Sequence, residues 1–323
     1  CHRRYNEHAL FNTFLTGSKN TLKNPSSNFI FYEEIVNKIK PMLIPKPNSS
    51  FYKIISGSHS IGKSTIVSQV AREVNREVIY VDVSPDNTKF GNELAKALNI
   101  SFDKHIIFIS TLAEAYLKAY RKLAIIIYDN ASHLNHEILD ILQNNAKENA
   151  NYSNYISLFV TSEGVCAYED ASAWSRAVSI FEISDLPKDK SMEFLDKNGI
   201  LLKKAEQFYN LIGGQIIQLK RAVELFTTPL SFDVKNFTRA EILPGGLYHN
   251  VASKIIKILL EKEQIKYIDF QETVNDKKIV DILLDSNIFL LRPSGSTVSF
   301  ESKLVESFIR ENYLRYVVAP KSL

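Results

Sequence analysis

Apolar and polar positions along this chain fall into two regimes. From about residue 50 to 187, short apolar runs alternate with longer stretches of helical period. The runs 51–56, 77–83, 123–128, 155–161 and 178–183 read as strands. Runs with few polar positions predict strands covered on both faces. Between them, residues 62–75, 88–99, 104–121, 133–148 and 164–174 read as helices. Strand and helix in alternation predict an α/β fold with a parallel sheet. Beyond Pro187 the pattern turns helical, over 188–198, 201–212 and 214–226, with breaks at Gly199 and Gly213-Gly214. We read these helices as a lid. Pro229 and Pro244-Gly245-Gly246 mark a joint to a further unit. That unit carries predicted helices at about 248–262 and 275–285, then two alternating runs, 287–291 and 297–300. The turn Pro293-Ser294-Gly295-Ser296 joins the runs as a hairpin, and a helix over 301–315 follows. Helices followed by a hairpin suggest a winged helix. At the other end, residues 1–28 are polar and irregular apart from 9–15, and a helix over about 30–43 is stopped by Pro41 and Pro45. The expected parts are therefore an N-terminal extension with a lead-in helix (1–44), an α/β domain (45–187), a helical lid (188–230) and a winged-helix-like domain (231–323).

The first strand and helix flank Gly57-Ser58-His59-Ser60-Ile61-Gly62-Lys63-Ser64-Thr65, a complete G-x-x-x-x-G-K-[ST] phosphate-binding loop. The motif needs a strand before it and a helix after it, and both are predicted here. Gly57 and Gly62 let the backbone turn and bring its N–H groups to phosphate oxygens. The helix N-terminus adds unpaired N–H groups and positive potential. Lys63 is placed to reach the β- and γ-phosphates, and the Ser64 hydroxyl to bind Mg²⁺. His59 occupies a variable position of the loop where only the backbone N–H is needed. A second segment, Leu123–Asn130, is an apolar strand ending in Asp129, the form of a Walker B segment whose acid holds Mg²⁺. The strand at 155–161 ends in Thr161-Ser162-Glu163. Where an additional strand lies between the two motif strands, a polar residue at its end faces the γ-phosphate, and Thr161 or Ser162 fits that role or that of a helix cap. These ends converge on one crevice, because ligands bind at the carboxyl ends of such strands. Asn130 stands where many hydrolysing proteins carry Glu, and an amide cannot take a proton from water. Either another group substitutes, with Glu163 the nearest in sequence, or hydrolysis is slow; Glu163 equally reads as a solvated loop acid.

Composition narrows the classes. The chain has 323 residues, 45% hydrophobic and 23% charged, with a net charge of +3. That balance is ordinary for a globular protein and permits nucleic acid contact without arguing for it. Cys1 and Cys166 are the only cysteines, which fits a reducing compartment and leaves no disulfide framework or cysteine metal cluster. No uncharged apolar run approaches the about 18 residues of a membrane span, so we expect an intracellular protein, cytoplasmic or nuclear. The chain opens on Cys1-His2-Arg3-Arg4 rather than Met, which leads us to expect a fragment or processed form.

Other candidates weigh less. His133 and His136 are three apart, whereas zinc helices use His at i and i+4 around a Glu, so surface or capping roles fit better. Asp82 ends the second strand and reads as structural. Lys203-Lys204 reads as a solvated helix face. Arg176, in Trp174-Ser175-Arg176, fits an arginine finger or an exposed structural arginine equally. The predicted wing carries only Arg292, which favours an interdomain or protein-contact role over DNA, since sequence-neutral DNA binding needs several phosphate contacts.

Together the motifs resemble the P-loop ATPases with an additional sheet strand, in particular the AAA+ and STAND classes. The C-terminal layout resembles that of the archaeal-type ATPases of this group. Further strings are similar to a large family of fungal P-loop NTPases abundant in arbuscular mycorrhizal fungi. They are Glu77–Asp82, Ile126–Ala131, Glu137–Gln143 with Ala146–Asn149, Thr161–Gly164, Ala173–Ala177, Glu182–Leu186, Leu211–Gly214 and Asn287–Leu291. Related modules occur beside nuclease domains in Crinkler-type effectors; no nuclease constellation is present here. The resemblance covers the chain from about residue 45 and implies ATP and Mg²⁺ as ligands and ATPase chemistry. Two departures stand out. Gln215-Ile216-Ile217 follows Gly214 where initiator-type relatives often carry an Arg as second sensor, with Lys220 and Arg221 one turn further on. The Pro that STAND lids often place after the Gly is also missing. The expected function is ATP·Mg²⁺ binding with slow hydrolysis that drives or gates a conformational change. The alternatives are a nucleotide-binding switch or scaffold without significant hydrolysis, and a DNA-associated ATPase. The expected partners are nucleotide and a protein or a second copy of the chain, with nucleic acid less favoured and no membrane.

Overall fold

All five apolar runs supply strands of one sheet. The structure, a computed structural model, describes residues 9, 11–17, 33–44, 51–59, 61–100, 106–152, 154–162, 180–224, 237–238, 240–292 and 295–313, with the backbone alone for 106–112. Contacts gather these into two compact units. The first comprises Cys1–Ser56, Lys63–Ser162 and Tyr168–Phe181; the second Gly57–Gly62, Glu163–Ala167 and Glu182–Leu323.

In the first unit the strands are β1 (Lys53–Ser56), β2 (Val78–Asp82), β3 (Ala124–Asp129) and β4 (Tyr155–Val160), and the last strand of the sheet, β5 (Phe181–Glu182), begins on the final residue of this unit. The order is β2-β3-β4-β1-β5. The pairs β1·β4, β2·β3 and β3·β4 are parallel. β4 thus lies between the strand that precedes the phosphate loop and the strand that ends in Asp129, where an additional strand was expected. Every residue of β3 and β4 is buried, which is why both read as runs with few polar positions. Helices α1 (Glu33–Ile39), α2 (Lys63–Val74), α3 (Phe90–Leu98), α4 (Ile106–Tyr120) and α5 (His136–Asn151) belong to this unit. The register sets Asp82 of β2 directly beside Asp129 of β3.

Several boundaries differ from the pattern, each for a local reason. The lead-in helix closes at Ile39, and Pro41 sits inside a 3-10 turn over Lys40–Leu43, where its missing N–H costs little. The helix predicted from 133 begins at His136, because Asn135 caps it by accepting from the Ile138 N–H at 2.9 Å. Ala131–His133 is a separate 3-10 turn. Backbone at 11–16 is helical, and Phe14 is fully buried against Tyr116, with its carbonyl accepting from the Glu77 N–H at 3.0 Å. The N-terminal segment therefore supplies core to the sheet unit. The predicted helix at 164–174 lies outside the described residues.

In the second unit, α6 (Lys188–Lys197), α7 (Leu202–Ile212) and α8 (Ile216–Glu224) stand where helices were predicted. Then come α9 (His249–Lys262), β6 (Gln264–Lys266), α10 (Tyr267–Val274), α11 (Lys277–Leu284), β7 (Phe289–Arg292), β8 (Thr297–Phe300) and α12 (Lys303–Glu311). The strands form an antiparallel sheet of order β6-β8-β7. Phe237, Ile255, Phe270, Phe289, Val298 and Ile309 are among the buried side chains of one core here. Each such side chain contributes about 1.5–3 kcal/mol relative to exposure. β6 and α10 are additions to the pattern read from sequence. No helix among the described residues is long and apolar enough to cross a membrane.

Candidate functional site

The phosphate loop owes its shape to two backbone positions. Gly57 has φ +153°, and a Cβ there would meet the Ile183 carbonyl oxygen at 2.4 Å and Ile61 Cδ1 at 2.5 Å. Gly62 has φ +87°, a conformation that L side chains rarely adopt. Ser58 and Ile61 are buried, and the His59 carbonyl accepts from Gln215 Nε2 at 3.3 Å. The same Gln215 amide donates to the Glu301 carboxylate at 3.2 Å. All of these residues belong to the second unit. Ser60, in the middle of the loop, lies outside the described residues.

In the first unit, α2 opens on Lys63, which is buried, followed by Ser64, half-buried, and Thr65, exposed. The Ser64 hydroxyl donates to Asp129 Oδ1 at 3.0 Å. These residues are 65 apart in sequence, and the contact brings the motif serine to the acid that ends β3. Asp129 is 1% exposed. Its Oδ1 also accepts from the Asn130 N–H at 3.0 Å, and its Oδ2 from the Tyr80 hydroxyl at 2.5 Å. Burial pushes the Asp129 carboxyl above the usual carboxylate range; the Tyr80 and Ser64 hydrogen bonds pull it down, and nearby Asp82 raises it again. The Tyr80 phenol is held well above its ordinary value, first by burial and then by Asp129.

Past Asp129 the chain turns sharply. Asn130 is left-handed, with φ 58° and ψ 39°, a conformation that Asn tolerates better than most residues. Its Nδ2 donates to Asp82 Oδ1 at 2.9 Å, and its Oδ1 lies 3.5 Å from the Ser64 hydroxyl. Thr161 is buried and continues the β1·β4 ladder through its N–H to the Ile55 carbonyl at 2.9 Å. Ser162 is half-buried, with its hydroxyl 3.2 Å from that of Ser132. His133 is exposed, and its Nδ1 lies 3.0 Å from the Val83 carbonyl; His136 opens α5 on the surface. Glu163 and Arg176 lie outside the described residues.

Among the described residues, no group of three His, Cys, Asp or Glu could hold a metal ion. Ser64 and Asp129 offer a hydroxyl and a buried carboxylate, an all-oxygen pair. Such a pair suits Mg²⁺, which keeps most of its waters and takes one or two protein oxygens plus phosphate. In the second unit, Arg292 donates through Nη1 to Glu182 and through Nε to the Ser299 hydroxyl, both at 3.0 Å. The one arginine of the predicted wing is thus engaged within its own unit.

Sequence reasoning did not single out Tyr80, whose hydroxyl meets Asp129, and read Asp82, which meets Asn130, as structural. The available signal was the alternation in Val78-Ile79-Tyr80-Val81-Asp82, which puts two polar groups on one face of β2. It also missed Gln215 as more than a substitute for an absent arginine.

No family model and no curated protein matches the chain. Among solved structures it is similar to Cdc6p from Pyrobaculum aerophilum, at 13% identity and a TM-score of 0.43, covering 95% of this chain and 98% of that one. It is also similar to the Thermotoga maritima RuvB Holliday junction branch migration motor, at 14% identity and 0.39, covering 90% and 98%. A third is the replication initiator DnaA bound to AMPPCP and single-stranded DNA, at 14% and 0.41, covering 82% and 91%. Likenesses this distant assign no activity to this chain.

Proposed function

We propose that this chain is a P-loop nucleotide-binding protein that takes ATP·Mg²⁺ and hydrolyses it slowly. The observation that carries the reading is the 3.0 Å contact between Ser64 and Asp129. A serine that follows a phosphate-loop lysine and an acid that ends a buried strand of the same sheet, one strand away, meet as the two halves of a magnesium site meet. In this reading the loop from Gly57 to Thr65 wraps the phosphates, and Lys63 stabilises the β- and γ-phosphates. Ser64 and Asp129 hold the metal, which supplies charge neutralisation to the phosphates when bound. Thr161 or Ser162 reports the γ-phosphate, and Glu163 and Arg176 are further candidates for the hydrolytic step. We read α6–α8 as a lid and the segment from α9 to α12 as a winged-helix-like domain, both responding to the bound nucleotide and presenting a surface to a protein partner or a second copy.

A second reading has its own observation. Asn130 stands where a proton-accepting glutamate would serve hydrolysis, which favours a nucleotide-binding switch with negligible turnover. Steady-state ATP hydrolysis with Mg²⁺, run beside labelled-ATP binding for wild type and Lys63→Ala, separates the two. The ATPase reading expects turnover that falls roughly a hundredfold in the variant. Tight binding without turnover favours the switch, and neither binding nor turnover overturns both.

A further inference from the structure

Asp82 closes β2, and its carboxylate meets the side chain of Asn130 at 2.9 Å. A primary amide has two unlike ends: Nδ2 donates and Oδ1 accepts. Which end faces which neighbour is decided by the hydrogen-bond partners. An ionised carboxylate only accepts, so Nδ2 is the end that turns to Asp82. Oδ1 then faces away from Asp82, and it stands 3.5 Å from the Ser64 hydroxyl. The amide oxygen is therefore aimed at the pair assigned to the metal.

A tie between the ends of β2 and β3 does not require this side-chain bond. The backbone already makes that tie: the Val83 N–H donates to the Asp129 carbonyl at 3.0 Å, and Asp82 and Asp129 are ladder partners. Two acids at adjacent register positions also repel each other, a cost that a neutral residue at 82 avoids.

We propose that Asp82 is a positioning residue for phosphoryl transfer, holding the Asn130 amide so that its oxygen accepts a hydrogen bond from the attacking water. The inference rests on the ATPase reading above. The water oxygen forms the new bond to the γ-phosphorus, and the bond from that phosphorus to the β,γ-bridging oxygen breaks. The electron pair of the broken bond leaves with ADP. ATP⁴⁻ and H₂O thus give ADP³⁻ and H₂PO₄⁻, and the second proton of the water ends on a phosphate oxygen. Asn130 aligns the water and takes no proton, so the arrangement supports turnover without a general base and keeps it slow.

The test compares wild type, Asp82→Asn, Asn130→Ala and the exchange Asp82→Asn/Asn130→Asp. Each is read for melting temperature, for affinity toward a fluorescent non-hydrolysable ATP analogue with Mg²⁺, and for turnover at saturating ATP. In Asp82→Asn two amides face each other and the Asn130 amide is free to turn over. Turnover is expected to fall about tenfold or more while affinity and melting temperature hold. Asn130→Ala, which removes the same oxygen and leaves Asp82 in place, is expected to match that loss. The exchange again pairs an amide with an acid and returns an acceptor oxygen to the Ser64 side, so turnover recovers. Wild-type turnover in Asp82→Asn, or a joint loss of turnover, affinity and melting temperature, overturns the proposal. So does an exchange variant that stays as slow as Asp82→Asn. A wild type that binds the analogue without hydrolysing ATP overturns this inference and leaves nucleotide binding standing; one that does not bind overturns both.

Discussion

Lys53 opens β1, half-buried, with its ammonium donating to the Met42 carbonyl at 2.6 Å. Burial pushes its pKa down from 10.5 to about 8. In the folded chain the proton leaves at about 8, in the unfolded chain at 10.5. Between those values the unfolded chain holds more protons, so this residue makes stability rise with pH across that window. Its partial exposure screens the effect, which we place at order 1 kcal/mol. Urea unfolding of wild type and Lys53→Met at intervals from pH 8 to 10.5 is expected to show the extra rise in wild type alone. Equal slopes contradict it. Residues differ in how far sequence exposes such roles. Lys63, Ser64 and Asp129 stood out as candidates because each sits at a defined place in a motif, and the structure brings Ser64 and Asp129 together. Tyr80 and Asp82 did not, because their roles come from strand register: β2 lies beside β3, and only that adjacency brings a phenol and a second acid to Asp129.

Elements were legible where their period was long or their burial complete. β3 and β4, buried at every position, stood out as apolar runs, and α2 and α5 through their period. β6 has three residues and only Ile265 buried, too few for an alternation to register. In α10, Phe270 and Val274 are the buried residues, while Ile268 is exposed, so its apolar positions mark no clear face. Caps decide ends more finely than period does. Asn135 stops α5 from beginning earlier, and Asn135→Ala is expected to lower stability by about 1 kcal/mol in urea unfolding. Nucleotide affinity should stay as in wild type, since the cap touches neither Ser64 nor Asp129; a shift in affinity with no change in stability would contradict that assignment.

At the scale of the whole molecule, charge and its placement argue about partners. The net charge is +3, and Arg292 is spent on Glu182 and Ser299. Nucleic acid binding through phosphates needs several uncommitted cations on one face and weakens steeply with salt. An electrophoretic shift assay on duplex DNA at near-physiological salt is therefore expected to show no retained complex, and a retained one would favour the DNA-associated reading. The alternating half of the chain was the more legible from sequence, because a parallel sheet follows from order alone. The grouping of the loop 57–62 with the second unit was not, since in sequence that loop is flanked on both sides by the first.

That grouping has a consequence in time. Gln215, which holds the His59 carbonyl, stands 156 residues further along the chain, and the Glu301 that shares its amide another 86 beyond. Synthesis runs from the N-terminus, so the letters of the phosphate loop emerge long before their brace does. A nascent chain carries the motif first as text and acquires its held form only after Gln215 and Glu301 have been made.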